Sequence, residues 1–125
     1  MDIDVVAART DDVMRYGLAL VLLGAAGMKA VDPTPWAAYV PGWAAVIVPF
    51  TPTAMMHLAT VLEATLGLAL AVRYRTPAAA AVSAAWLASI TVAVGTIGIW
   101  PIALRDLGLT VFAVSVALNE YRLTR

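Results

Sequence analysis

The residues of this chain able to do chemistry are few, and they sit inside or at the ends of apolar runs. Glu63 lies in the middle of the run 54–72, Lys29 closes the run 13–31, Arg15 stands near the start of that run, and Arg105-Asp106 are adjacent early in the last run. His57, the single histidine, precedes Glu63 in the same run. In a helix beginning at Ala54, Glu63 lies about 14 Å down the axis, close to the middle of a hydrocarbon layer roughly 30 Å thick. A carboxylate at that depth costs a few kcal/mol unless it is protonated, paired or hydrated, so it calls for a partner or a function.

Projection at about 100° per residue places Glu63 on one face with Met56, Ala59, Thr60, Gly67 and Leu70, the small and polar positions that let membrane helices approach closely. Glu63 is therefore expected to point into a bundle. His57 falls about 120° away by the same projection, toward the outer surface, and a His–Glu relay is not favoured. Lys29 and Arg105 have stems long enough to bend inward by several ångströms. A cluster of Lys29, Glu63, Arg105 and Asp106 follows as the candidate site. Arg105 and Asp106 point about 100° apart and are expected to serve other helices rather than each other. Arg15 reads as a snorkelling interfacial anchor, and Asp106 equally as a first-turn cap of its helix.

The elements that must position these residues are membrane spans. Only 13% of the 125 residues are charged while 62% are hydrophobic, and the mean hydropathy is +0.88, far from the composition of soluble domains. Four spans are expected, 13–31, 54–72, 78–100 and 102–118, within one domain covering 1–125. The fold class is an all-α, integral membrane, four-helix up-down bundle. Residues 1–12 read as a polar lead, not a cleaved signal, because they are acidic and lack a basic start. Pro33, Pro35, Pro41, Pro49 and Pro52 exclude a span in 32–53, whose Trp36, Tyr39 and Trp43 suit an interfacial connector of short helical or re-entrant pieces. Arg73, Arg75 and Pro77 stop the second span, and Pro101 separates the third from the fourth. Gly17, Gly24, Gly27 and Gly67 read as packing surfaces.

An even number of spans puts both termini and the 73–77 turn on one side, with Arg9, Arg15, Arg73, Arg75, Arg122 and Arg125, against Lys29 and Arg105 on the other. That asymmetry predicts cytoplasmic termini in a multi-pass protein of the cell membrane. The eight basic and eight acidic residues balance, and no basic stretch could grip a phosphate backbone, so nucleic acid is not an expected partner. With no cysteine and one histidine, thiol relays, iron–sulfur clusters, bis-histidine haem and multi-histidine metal sites are excluded within the chain. No residue can be assigned a catalytic role from its spacing.

The ordered set of Arg15, Gly24-x-x-Gly27-x-Lys29, the Pro/Trp-rich connector, Glu63 with Gly67, and Arg105-Asp106-Leu107-Gly108 resembles the DoxX family of small four-helix membrane proteins, over residues 13–118. The resemblance nominates Arg15, Lys29, Glu63, Arg105 and Asp106. It implies a small membrane subunit or partner of a quinone-linked respiratory or sulfur redox complex, of the terminal quinol oxidase or thiosulfate:quinone oxidoreductase type. The lack of cysteine departs from thiol-active relatives in the wider superfamily. Three functions are thus weighed: a redox-complex subunit whose polar cluster meets a quinone head, a non-enzymatic scaffold or assembly factor in which Glu63 fixes packing, and a small proton-coupled transporter. The expected partners are the lipid bilayer, a soluble or membrane redox enzyme subunit, and further copies of the chain.

Overall fold

A computed structural model describes residues 2–124; Arg125, counted above among the basic residues near the termini, lies outside them. The chain forms six helices in the order α1 (Ile3–Val31), α2 (Thr34–Ala37), α3 (Gly42–Ile47), α4 (Pro52–Ala71), α5 (Thr76–Thr96) and α6 (Trp100–Leu123), with no strand among the described residues. Helices α1, α4, α5 and α6 are each long and apolar enough to cross a membrane. Their outward positions, among them Leu20, Val61, Leu68, Val92, Leu104 and Leu118, are exposed apolar side chains, as lipid contact requires. The all-α four-helix bundle expected from the apolar runs is the architecture, and its composition fits a multi-pass membrane protein.

The helix limits differ from the expected spans in ways the caps explain. Residues 3–12 are not a lead but the first turns of α1, opened by Asp2, whose Oδ1 accepts from the Asp4 amide at 3.0 Å. The 29-residue helix is roughly 43 Å long, about two turns more than a hydrocarbon layer of roughly 30 Å requires. Three prolines read as stops or separators instead begin helices, where their missing N–H is no loss. Pro52 opens α4 behind Thr51, whose Oγ1 accepts from the Ala54 amide at 3.1 Å, and Pro77 and Pro101 fall in the first turns of α5 and α6. The break between α5 and α6 therefore lies at Ile97–Ile99, with Gly98 at φ +78°, and Trp100 belongs to α6 rather than to the end of the third span.

Helix α4 ends in a Schellman turn, the Tyr74 amide donating to Ala69 O at 2.8 Å and the Arg73 amide to Leu70 O at 3.4 Å. Arg73 at φ 60° takes the left-handed position that glycine favours there, and Arg75 at φ 46° repeats that conformation before α5. Helix α1 packs most extensively on α4 and α5 on α6, while α4 with α5 and α1 with α6 close the ring. Leu18, Ala19, Leu22, Leu66, Leu70, Ala80, Leu87, Ala113 and Val116 form the shared core. At the α1/α4 crossing a Cβ on Gly67 would lie 2.7 Å from Leu23 Cγ and 3.2 Å from Ala19 O, so only glycine fits. Gly17 faces Phe112, but Gly24 and Gly27 have nothing within 4 Å and are exposed, so they are not packing surfaces within this bundle.

The connector is folded back onto the bundle as two short helices. Pro35 in the first turn of α2 and Pro41 before α3 set their starts. Trp43 of α3 donates Nε1 to Thr96 Oγ1 at the end of α5, 3.0 Å away, and α2 rests on α4. This strap lies over the end of the bundle that carries Lys29.

Candidate functional site: a buried ion pair beside an apolar chamber

Glu63 is 2% exposed, turned inward from the middle of α4 as the helical projection requires. Lys29, in the last turn of α1 and 6% exposed, brings Nζ to 2.7 Å from Glu63 Oε1 and 2.9 Å from Oε2. The lysine stem bends inward from the helix end, since its head finds a carboxylate within the bundle. Trp86 of α5 donates Nε1 to Glu63 Oε1 at 3.0 Å. Trp36 of α2 covers the lysine, its ring centroid 4.7 Å from Nζ. One carboxylate thus ties α1, α4 and α5 together, with charge-assisted hydrogen bonds on both oxygens.

Arg105 and Asp106 complete the site differently from the expectation. They pair with each other: Arg105 Nη2 and Nε donate to Asp106 Oδ1 at 3.1 and 3.2 Å. Their Cβ vectors diverge, but the arginine arm is long enough to fold back along α6 from its exposed side, and a charge-assisted bond to a buried carboxylate outweighs the intrinsic i,i+1 geometry. Arg105 does not hydrogen-bond to Glu63. Asp106 is the seventh residue of α6, because that helix starts at Trp100, so it caps no first turn. It is 3% exposed, and its Oδ2 has no hydrogen-bond partner.

Both pairs line one apolar chamber of about 800 Å³, together with Trp36 and Trp86. Comparison of the chain with protein-family models, curated proteins and solved structures finds no match.

The structure overturns the reading of Arg15 as an interfacial anchor. Arg15 is 1% exposed, and its Nη1 donates to Leu70 O at 2.6 Å and Ala71 O at 3.1 Å. Those are carbonyls of the last turn of α4, past the regular helical ladder; Leu70 O also takes the long 3.4 Å bond from the Arg73 amide, and a buried guanidinium is the group that can supply several donors at once. Asp12, 3.4 Å from Arg15 Nη2 and 2.8 Å from Arg73 Nη2, ties this end to the α4–α5 turn. Arg15 is thus remote from the Lys29–Glu63 site and belongs to a second polar layer. That layer also holds the buried Thr76 Oγ1 to Glu120 Oε2 bond at 3.0 Å and the Asn119 Nδ2 to Asp11 Oδ1 bond at 2.7 Å. His57 is exposed, as its angular position indicated.

Two residues of the site were not singled out by sequence reasoning as such. Trp86 was one position in an apolar span, although an indole N–H within lipid or a bundle seeks an acceptor and Glu63 was the nearest such need. Trp36 was expected to anchor at the interface, with stacking on a quinone head as the alternative, and its contact with Lys29 depends on how the connector folds back.

Proposed function

We propose that the chamber receives the polar head of a quinone, and that the chain serves as a small membrane subunit or partner of a quinone-linked redox complex. The observation that carries this reading is an apolar chamber of about 800 Å³ with one buried ion pair, Lys29–Glu63, and the buried carboxylate of Asp106 in its wall. Its volume falls in the roughly 300–1,000 Å³ range of small-molecule sites, which combine apolar walls with a few placed polar groups. The residues fit such a head. Trp36 and Trp86 offer ring faces for stacking, and Asp106 Oδ2 is an unfilled polar atom in a residue lining the chamber. A bound quinone would supply two-electron, two-proton carrier chemistry. The chain's own residues would bind and orient it: Lys29 and Glu63 hold the chamber's polar wall in one arrangement, and the apolar lining would contact the ring and tail. The DoxX resemblance supports the same class of partner.

The orientation belongs to this proposal. The basic residues at the Arg15, Arg73 and Arg75 end favour that end and the termini on the cytoplasmic side, which places the chamber toward the outer leaflet. A Glu63→Gln variant keeps the shape but removes the charge facing Lys29; quinone-linked activity of the assembled complex should fall while the chain still assembles. Full activity with normal assembly would contradict the reading.

A scaffold function is the second reading, favoured by one observation: Lys29 and Trp86 already occupy both Glu63 oxygens. On that reading the exchange Lys29→Glu with Glu63→Lys restores assembly and activity of the complex, and no quinone binds.

A further inference from the structure

Among the described residues, the buried side-chain polar atoms without a partner are Arg15 Nε, in the distant polar layer, and Asp106 Oδ2, in a residue lining the chamber. The other carboxylate of the site is filled, Oε1 by Lys29 and Trp86 and Oε2 by Lys29. Asp106 Oδ1 is filled by Arg105. The vacancy is therefore an acceptor, on a carboxylate paired with a guanidinium. A buried acceptor left open costs free energy that a donor recovers and a second acceptor cannot.

From this we infer that the chamber selects the hydroxyl-bearing, reduced form of its ligand: a hydroquinone donates a phenolic O–H to Asp106 Oδ2, whereas the carbonyl of the oxidised quinone meets it acceptor to acceptor. The inference rests on the quinone reading and adds the redox form and the residue that reads it. Oδ2 has almost no solvent contact, so the hydroxyl reaches it when a neighbouring side chain turns. Arg105 is suited to that, since its side chain is 55% exposed and its bonds to Asp106 are confined to Oδ1. Asp106 here is a specificity residue and transfers no electron or proton in the binding step.

The test measures affinity, without turnover. The purified full-length protein in lipid nanodiscs is titrated anaerobically with an alkyl-tailed benzoquinone, its hydroquinone, and the dimethyl ether of that hydroquinone, which has no donor. A hydrogen bond to a charged acceptor predicts about 10-fold to 100-fold tighter binding of the hydroquinone than of either other compound. Asp106→Asn keeps an oxygen for Arg105 and replaces the open acceptor by an amide N–H, so the preference should reverse toward the benzoquinone. Circular dichroism and the thermal midpoint of the variant establish that it folds; if it does not, the three wild-type affinities still decide. Equal binding of the three compounds, the result expected if a chamber water satisfies Oδ2, overturns the inference and leaves the quinone reading intact. Binding of none of them overturns that reading as well.

Discussion

Replacing Lys29 by methionine removes a cation from a site where its partner cannot reach water. The Glu63 side chain is 3% exposed, and without Lys29 it keeps only the Trp86 N–H on one oxygen. Breaking a buried pair from one side costs about 3–5 kcal/mol, because a charge is left uncompensated. Replacing both members by similar-sized apolar residues, Lys29→Met with Glu63→Met, removes the charge and its desolvation together and is expected to fall within about 1 kcal/mol of wild type or above it. With about 3–5 °C per kcal/mol for a chain of this size, the single variant should melt roughly 10–20 °C lower and the double variant near wild type. The assay is thermal unfolding in one detergent by circular dichroism, read as a double-mutant cycle with Glu63→Met as the second single variant. A Lys29→Met protein as stable as wild type, or a double variant no better than the worse single one, refutes the account of the pair.

Three further changes probe the elements around the pair. Gly67→Ala places a methyl against Leu23 and the Ala19 carbonyl, so the α1/α4 crossing must widen, at about 1–3 kcal/mol by chemical denaturation. Arg15→Met leaves the Leu70 and Ala71 carbonyls without their side-chain donor; a loss of about 1.5–3 kcal/mol is expected, with hydrogen exchange accelerated at the end of α4. Trp86→Phe keeps an aromatic, though smaller, side chain and removes the indole donor to Glu63, which should lower stability by about 1.5–3 kcal/mol, while Trp100→Phe, at an exposed ring, should leave the midpoint unchanged.

How much of this was legible in the sequence depended on whether one helix or several decided the outcome. The inward turn of Glu63 and the outward turn of His57 follow from the angular spacing within α4 alone, and both hold. The Lys29–Glu63 pair was within reach, because a lysine at a span end on the connector side had one buried acid at reachable depth. Arg15 was misread because its partners are backbone carbonyls of another helix, which have no signature in residue types. Arg105 and Asp106 were separated by an ideal projection that ignores how far an arginine arm folds back. The prolines were placed at the right breaks but on the wrong side, since a proline that cannot continue one helix is equally suited to begin the next. The open oxygen of Asp106 appears only once every other donor and acceptor is placed.

The central claim, that the chamber holds a quinone head, is tested most directly by photolabelling. An azido-quinone is activated in native membranes containing the full chain, and the labelled peptides are mapped by mass spectrometry. Label concentrated on the segments carrying Trp36, Trp86 and Asp106, and displaced by excess unlabelled quinone, is the predicted result. Label spread over the lipid-facing positions of all four long helices, undiminished by competitor, would contradict it.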